Sequence, residues 1–289
     1  MRTYNLFTRF FVAVVFTTIT SLAVAGFSAK KAYEADPELL AKLENKYNVQ
    51  INLTGMGVSV TDTNSRAMTQ DQWELSIPAK KLIIKSYSGD IAIRSSNDNK
   101  IRAMASGKLD TAKSEKLLEI TESADVVTLN EPENAVKDLE VRIELPSTFT
   151  HDLEILSVSG DVTAENLKIS LADVKTVSGE ITLNQLNVTK LSIETVSGDV
   201  ETHESSFKTI NGKSVSGEIE IENKDAAEMN LKSVSGDVKL KLPKAAPFSF
   251  NLNTLSGDIK NLRSNITDSS KAAKLNINIS TTSGDIVIE

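Results

Sequence analysis

The feature that most constrains the fold is a short motif that returns at a fixed interval along the chain. Segments such as SVSGD, TVSGE and TVSGD place a glycine at positions 160, 179, 198, 217 and 236, and two further copies at 257 and 284 follow after longer intervals. An earlier copy, SYSGD, contains Gly89. A constant period of about 19 residues is typical of a solenoid, in which each repeat stacks on its neighbours. The motif glycines, which we interpret as structural turn residues, are Gly89, Gly160, Gly179, Gly198, Gly217, Gly236, Gly257 and Gly284.

Aligned on these glycines, the repeats contain apolar columns separated by polar positions. The columns are Val162, Ile181, Val200 and Ile219; Ile169, Val188, Phe207 and Ala226; Ala172, Leu191, Ile210 and Met229; Val174, Ile193, Gly212 and Leu231; and Val177, Val196, Val215 and Val234. Alternation with period two predicts short strands. We therefore expect an all-β fold, a single-stranded parallel β-solenoid (β-helix) with rungs of about 19 residues, regular over 151–289. In each motif we place both valines, such as Val196 and Val200, on the inward face with the glycine between them.

The segment before the regular repeats is expected to be organised differently from them. We expect less regular β rungs from residue 79 onward, so that the solenoid domain covers 79–289. Residues 26–78 are expected to form an N-terminal helix and a polar linker that cap the sheet. The helix signal is DPELLAKLENKY, with Asp36 at the N-cap and Pro37 at the first helical position.

Residues 1–25 resemble a secretory signal peptide. Arg2 and Arg9 precede or flank an apolar run, and Ala23-Val24-Ala25 provides a small-x-small cleavage site. Cleavage after Ala25 predicts a periplasmic, secreted or cell-surface protein. The alternative is an uncleaved anchor, which would be the chain's only contact with a membrane. The absence of cysteine excludes a disulfide framework and a lipid-bearing cysteine.

The net charge limits the possible partners. It is −7 for the whole chain, and removal of Arg2 and Arg9 with the signal gives −7 − 2 = −9. Nucleic acids and anionic lipids need a basic surface. We therefore expect no nucleic-acid partner.

The sequence offers little for catalysis. Acid-base catalysis needs a base with a tuned pKa, and the only histidines are His151 and His203. His203 falls in a column otherwise occupied by Glu165, Asn184 and Glu222, which indicates a solvent-facing position. No zinc cluster, phosphate loop or dinucleotide fingerprint is present. We predict no catalytic residue, no cofactor and no enzyme activity. The alternative is a polysaccharide-processing β-helix enzyme, although the regular repeats lack the Trp and Tyr that commonly stack on sugars.

An acidic residue follows each glycine of the regular repeats, and this row is the best candidate for a site. Stacked carboxylates could bind calcium, but Asp and Glu alternate in the row and an exposed acidic row needs no metal. We favour a solvated edge, partly neutralised by Lys175, Lys213 and Lys232. The row consists of Asp161, Glu180, Asp199, Glu218, Asp237, Asp258 and Asp285.

The repeats also resemble a known family. The stretches IPAKKLIIKSYSGDIAI and LEVRIELPSTFTHDLEILSVSGDV, the SGD repeats and the export signal together resemble the bacterial putative-adhesin family, a domain of unknown function in exported envelope proteins. The resemblance covers residues 81–289. It implies a fold of repeated SGD β-strands and supplies no catalytic residue.

The sequence therefore predicts a non-catalytic exported β-solenoid. Its polar, acidic face would contact cell-envelope components, an unknown envelope protein or glycan, in an adhesin-like or envelope-homeostasis role. Two alternatives besides the enzyme stay open. The chain could be a calcium-binding scaffold, or it could self-associate through an open C-terminal edge at Asp285–Glu289.

Overall fold

The computed structural model describes residues 49–54, 57–62, 67–77, 80–110, 113–225, 228–243, 248–262 and 275–289. The chain divides into two compact units, Met1–Arg66 and Ala67–Glu289. In the first unit the described residues form an antiparallel hairpin of β1 (Val49–Thr54) and β2 (Gly57–Asp62). The predicted signal peptide and the helix over 36–47 lie outside the described residues.

The second unit is built from strands and turns. The first seven strands are β3 (Ala67–Leu75), β4 (Lys81–Ser86), β5 (Asp90–Ser96), β6 (Ile101–Leu109), β7 (Glu119–Glu122), β8 (Val126–Asn130) and β9 (Val136–Pro146). The regular repeats form β10 (Asp152–Ser157), β11 (Val162–Glu165), β12 (Lys168–Lys175), β13 (Ile181–Asn184), β14 (Asn187–Glu194), β15 (Val200–Lys213), β16 (Ile219–Asn223), β17 (Glu228–Lys232) and β18 (Val238–Lys241). The last four are β19 (Phe248–Thr254), β20 (Ile259–Asn261), β21 (Leu275–Thr281) and β22 (Ile286–Ile288). The all-β class is confirmed for the described residues, none of which is helical.

The strands lie in two long sheets, and through the regular repeats the chain passes alternately from one sheet to the other. Sheet I has the order β7, β8, β4, β10, β12, β14, the second half of β15, β17, β21 and β19. Sheet II has the order β3, β6, β9, β5, β11, β13, the first half of β15, β16, β18, β22 and β20. One strand from each sheet makes a rung. Within these two sheets the described pairings are parallel except β7 with β8, β3 with β6 and β6 with β9.

The sequence period sets the register of the regular rungs. Leu153 lies beside Ala172 in sheet I, and Val162 lies beside Ile181 in sheet II, so both sheets are paired with an offset of one full repeat. Paired side chains therefore stack on the same column of the next repeat, except where the register of β15 with β16 shifts between Thr202 and Ser205. The pairing makes the unit solenoid-like over the regular repeats, with neighbouring strands about 4.8 Å apart.

At both ends of the stack the spatial order departs from the chain order. The rung of β8 and β9 lies outside that of β4 and β5, although it follows it in sequence. Likewise, β21 and β22 lie between the rung of β17 and β18 and the rung of β19 and β20. The expectation of an open edge at Asp285–Glu289 is therefore wrong, because β22 pairs on both sides. Among the strands that the structure describes, the outermost at that end are β19 and β20.

One continuous apolar core lies between the two sheets. Four of the five predicted columns are buried wherever they are described, with Ile181, Leu191 and Ile210 at 0–1% exposure; Ala226 lies outside the described residues. The fifth column is a wrong prediction. Val177, Val196 and Val215 are each 46% exposed, while the residue before each of them is buried.

The corner opposite the SGD motif uses a left-handed residue in three successive rungs. Asn166, Gln185 and Glu204 have φ angles of 55°, 54° and 50°, and they occupy the same position of successive repeats. Asparagine tolerates this region, but glutamine and glutamate adopt it at a cost. The corner is therefore imposed by the stacking of the rungs. In the part of the chain that the structure describes, no helix is long and apolar enough to span a membrane.

Candidate binding edge

The SGD motif forms one corner of every rung, which we call the SGD edge. A buried hydroxyl fixes this corner. The Thr195 Oγ1 accepts a hydrogen bond of 2.9 Å from the Gly198 N–H, and the Ser214 Oγ accepts one of 2.9 Å from the Gly217 N–H. Both residues are 5% exposed. The small hydroxyl thus closes the turn from inside, which displaces the following valine to the outside.

The motif glycines are required because adjacent rungs approach closely. A Cβ on Gly198 would lie 1.9 Å from the Gly179 carbonyl oxygen, and one on Gly217 would lie 2.0 Å from that of Gly198. No motif glycine has a left-handed φ. A motif glycine is therefore needed because the backbones of adjacent rungs are in direct contact at this position, and not because a side chain would collide with the apolar core. The exception is Gly89, whose added Cβ would meet the Leu139 side chain at 2.7 Å.

An exposed apolar row runs along the SGD edge. Val158, Val177, Val196, Val215 and Val234 are 44–49% exposed, one from each of five consecutive rungs. Tyr87 extends the row at one end with 46% exposure, and Leu255, in the outermost rung at the other end, is 83% exposed. Each of these five valines therefore keeps nearly half of its surface in contact with solvent.

A serine row lies beside the valines and connects the rungs. The Ser197 N–H and Oγ both donate to the Val177 carbonyl oxygen, at 2.9 Å and 3.2 Å. Ser216 donates in the same two ways to Val196. The serines are exposed, but their hydroxyl protons are used within the edge. These hydroxyl groups can therefore accept hydrogen bonds from a ligand but not donate them.

The acidic row is exposed or half-buried, as expected for a solvated edge. Its aspartates bond to the next rung. The Asp161 Oδ1 accepts the Glu180 N–H at 2.9 Å, and the Asp199 Oδ1 accepts the Glu218 N–H at 2.8 Å. The same bond joins Asp90 to Asp161, Asp237 to Asp285 and Asp285 to Asp258 in spatial order. Sequence reasoning missed this role of aspartate, because the bond crosses between rungs rather than closing the acid's own turn.

Two of the lysines that were expected to neutralise the acidic row form ion pairs with other acids in the structure. Lys175 pairs with Asp173 at 3.1 Å, and Lys213 pairs with Glu194 at 2.7 Å, both partners lying on sheet I. The hydrogen bond to Asp173 raises the pKa of Lys175. Within the row, Glu218 pairs with Lys239, and this bond raises the pKa of the lysine. The ion pairs of Lys175 and Lys213 therefore lie on sheet I and not at the acidic row.

The first SGD turn is closed by a buried carboxylate. Glu131 is 2% exposed and follows β8, the rung outside Gly89 that has no motif of its own. Its Oε2 accepts the Tyr87 N–H at 2.6 Å, the Ser88 N–H at 3.0 Å and the Ser86 hydroxyl at 2.7 Å, and its Oε1 accepts the Ser88 hydroxyl at 2.9 Å. Glu131 thus replaces the carbonyl oxygens that a preceding rung would supply.

The histidines are not gathered into a catalytic arrangement. His203 lies 3.1 Å from Glu201 on the outer face of sheet II, and His151 makes an edge-to-face contact with Phe149. Among the described residues, no group of three or more His, Asp or Glu side chains could hold a metal ion. The prediction that the protein is not an enzyme stays a prediction.

Comparison with known proteins found a family model and several similar solved structures. Residues 20–289 match the family model Toastrack DUF4097. No curated protein sequence matches the chain. Three solved structures are similar: a putative adhesin of Bacteroides fragilis, a putative cell adhesion protein of Clostridium sporogenes and a putative lipid binding protein of Parabacteroides distasonis. Their identities are 14%, 13% and 15%, and their TM-scores 0.48, 0.39 and 0.43. The matches cover 78%, 77% and 76% of this chain and 99%, 99% and 96% of those proteins. Likenesses at this level carry no argument about function.

Proposed function

The chain belongs to the Toastrack DUF4097 family, and from its surface we propose that it is a non-catalytic binding protein of the bacterial cell envelope that contacts its ligand through the SGD edge. The exported location rests on the signal-like residues 1–25. The observation that carries the proposal is the exposed apolar row. Five valines at equivalent positions keep 44–49% of their surface in water.

The exposure of these valines favours a binding role, because contact between apolar surface and water is unfavourable and yet occurs in five consecutive rungs. Isolated exposed apolar side chains are common, but a continuous apolar stripe bordered by polar residues is typical of an interaction surface. The neighbouring buried hydroxyls keep the turn closed without help from the valine, so a polar residue would serve the turn as well. Because the turn does not require valine, a binding role explains why valine recurs at this position.

The charge beside the stripe restricts the ligand. Asp161, Glu180 and Asp199 are exposed along one side of the stripe, and like charges repel at short range. A neutral glycan or a neutral to basic protein surface fits this edge, whereas an anionic lipid surface does not. The serine hydroxyls, which already donate within the edge, can accept hydrogen bonds from such a ligand.

Co-sedimentation of the mature protein with isolated bacterial envelopes tests the proposal. In the variant V177T/V196T the shape and strand propensity are kept while two members of the stripe become polar. We expect weaker retention than for the wild type. The matched control is S170A/T189A, which alters exposed residues of the same two rungs away from the SGD edge. Equal retention of V177T/V196T and wild type contradicts the proposal, and so does equal weakening by the control.

The enzyme alternative has its own readout. A polysaccharide-processing enzyme would release soluble sugar fragments from the same envelopes during incubation. Release of such fragments, with a dependence on protein concentration, would replace the binding proposal by the enzyme.

A further inference from the structure

A cavity of about 610 Å³ lies between β3 of sheet II and β7 of sheet I, at the N-terminal end of the stack. It is lined by residues 72–75 of β3 and by residues between 116 and 122, in β7 and just before it. These lining residues belong to the second compact unit. The volume falls within the range of about 300–1,000 Å³ that is typical of sites for small ligands.

Two hydrogen bonds hold the walls of this cavity together, one at each end. The Leu117 N–H donates to the Asp71 carboxylate at 3.1 Å, and the Ser76 N–H donates to the Glu122 carboxylate at 3.1 Å. The lining residues 72–75 lie between these two points along the chain. A cleft whose walls are already fixed needs little ordering when a ligand binds, which favours affinity.

The inner wall of the cleft is apolar. Leu75 and Leu118 are buried, at 3% and 2% exposure. Trp73 and Ile120 pack against the same core but are only partly buried. Trp73, the only tryptophan of the chain, therefore brings a large aromatic surface to the cavity that the core does not fully cover. Aromatic rings of this kind pack well against C–H groups of a ligand.

The rim of the cleft is polar and mostly acidic. Its exposed side chains are Gln72, Glu74, Lys116, Glu119 and Glu122. Three of these five carry a carboxylate and one carries an ammonium group. Ionised carboxylates accept hydrogen bonds and cannot donate them, and they repel an anion at short range. The rim therefore favours a ligand that supplies hydrogen-bond donors and carries no negative charge.

We propose that the cleft between β3 and β7 binds a short saccharide without negative charge, of about two or three sugar units. A pyranose ring has C–H groups on its faces and hydroxyl groups around its edge. The C–H face matches Trp73 and Ile120, and the hydroxyl groups can donate to Glu119 and Glu122. A purely apolar ligand would remove water from these carboxylates without replacing its hydrogen bonds, which is unfavourable.

This site is independent of the function proposed for the SGD edge. None of the residues that line the cleft belongs to the valine, serine or acidic rows of that edge. Loss of one site therefore leaves the argument for the other unchanged.

The emission of Trp73 tests the proposal directly, because the chain has no second tryptophan. The protein is titrated with the neutral sugars chitotriose, cellotriose and maltotriose, with the anionic sugar trigalacturonate, and with tetraethylammonium chloride as an organic cation, all at equal ionic strength. We expect at least one neutral trisaccharide to change the emission saturably, with a Kd on the order of 1 mM or lower. No response to any neutral trisaccharide overturns the proposal, and so does an equal or stronger response to trigalacturonate or to tetraethylammonium.

Variants of the two walls provide a second test, with binding of the same trisaccharide measured by calorimetry. Trp73→Leu keeps an apolar side chain against the core and removes the ring, and it should raise Kd about fivefold or more. Glu119→Ala removes an exposed acceptor and should raise Kd about threefold or more. The control Glu228→Ala removes an exposed carboxylate of sheet I and should bind like the wild type. Melting temperatures show which variants are folded, and Glu119→Ala keeps the test valid if Trp73→Leu does not fold. Wild-type affinity in the folded wall variants contradicts the proposal, as does equal weakening by the control.

Nuclear magnetic resonance then locates the saccharide on the wild-type protein. Its addition should shift the backbone amide signals of Trp73 and Ile120 and leave those of Val177 and Val196 in place. Shifts at the two valines without shifts at Trp73 would overturn binding in the cleft and place the saccharide at the SGD edge instead.

Discussion

The carboxylate of Asp161 accepts a hydrogen bond of 2.9 Å from the backbone N–H of Glu180, which occupies the same position in the next rung. The equivalent bond is made by Asp199 to the N–H of Glu218. Glu180 instead accepts a 3.3 Å hydrogen bond from the hydroxyl of Thr182 in β13, the strand that follows it. Aspartate and glutamate are therefore not equivalent in the acidic row, although their charge is the same.

The first prediction separates these two roles. Asp199→Ala should lower the free energy of unfolding by about 1 kcal/mol, because the Glu218 N–H loses its acceptor. Asp199→Asn should restore most of the loss, since the amide oxygen can accept the same bond. Glu180→Ala is the matched control in the adjacent rung and should change stability by no more than about 0.5 kcal/mol. Urea unfolding measures all three. Equal losses for Asp199→Ala and Glu180→Ala would show that the bond between rungs is not the stabilising feature.

The second prediction concerns the close approach of rungs at the motif glycine. Gly198→Ala places a Cβ 1.9 Å from the Gly179 carbonyl oxygen, so the two rungs must separate and lose neighbouring hydrogen bonds. We expect a loss of about 3 kcal/mol or more. Gly212→Ala is the control in the same repeat, because its Cβ would meet chiefly the end of the Leu231 side chain, at 2.8 Å. That side chain can move, and we expect a change within about 1 kcal/mol. Thermal melting of both variants decides the matter.

Much of the architecture was predictable because the repeat itself carries the register. The constant period of the motif fixes which side chains stack, and Ile181, Leu191 and Ile210 are buried as the column analysis predicted. The order of the terminal rungs was not predictable, since it depends on pairing between segments far apart in sequence. Ile286 pairs with Val238 and Ile259 on its two sides, and no local pattern encodes that choice.

The orientation of the motif valine was predicted wrongly for a definite reason. Strict alternation back from Val200 places Val196 inside, but the turn contains two outward residues in succession, Val196 and Ser197. The buried hydroxyl of Thr195 bonds to the Gly198 N–H and so takes the inward position. A Ser or Thr three residues before each recurring turn glycine was the available signal. It indicates a side chain that closes a turn.

The third prediction concerns calcium at the acidic row. The carboxylates already accept backbone N–H groups at Asp161 and Asp199, and an exposed row of charges needs no ion. We expect the melting temperature to be the same in excess calcium and in excess chelator at equal ionic strength. Magnesium chloride at the same ionic strength is the control for screening. A rise in melting temperature with calcium alone would restore the calcium-binding scaffold as the better interpretation.

The fourth prediction is a pH dependence at Glu220. Lys241 donates a hydrogen bond to this carboxylate, and that bond lowers the pKa of Glu220 below its ordinary value of 4.5. A lowered pKa in the folded state means that the pair stabilises the fold above about pH 4.5 and that the stabilisation is lost as the pH falls through the lowered pKa. Glu220→Gln should therefore be less stable than the wild type at neutral pH, by no more than about 1 kcal/mol, and the difference should disappear in acid. Glu228→Gln, an exposed carboxylate on sheet I, is the control. A difference that is unchanged down to acid pH contradicts the assignment.

The fifth prediction concerns the carboxylate that closes the first SGD turn. Glu131→Ala leaves the N–H groups of Tyr87 and Ser88 without their acceptor, whereas the Ser86 hydroxyl can still donate to the Gly89 carbonyl oxygen at 3.1 Å, so we expect a loss of about 2–4 kcal/mol. Glu131→Gln keeps one oxygen for these donors and loses only the charge, so its cost should be nearer to about 1 kcal/mol. Native-state hydrogen exchange adds a local readout: the amides of Tyr87 and Ser88 should exchange faster in Glu131→Ala, while that of Ser216, which bonds to the Val196 carbonyl in the middle of the stack, keeps its protection relative to global unfolding. Equal stability of Glu131→Ala and wild type would mean that water replaces the carboxylate at no cost, and that the first turn is held by its pairing with the next rung alone.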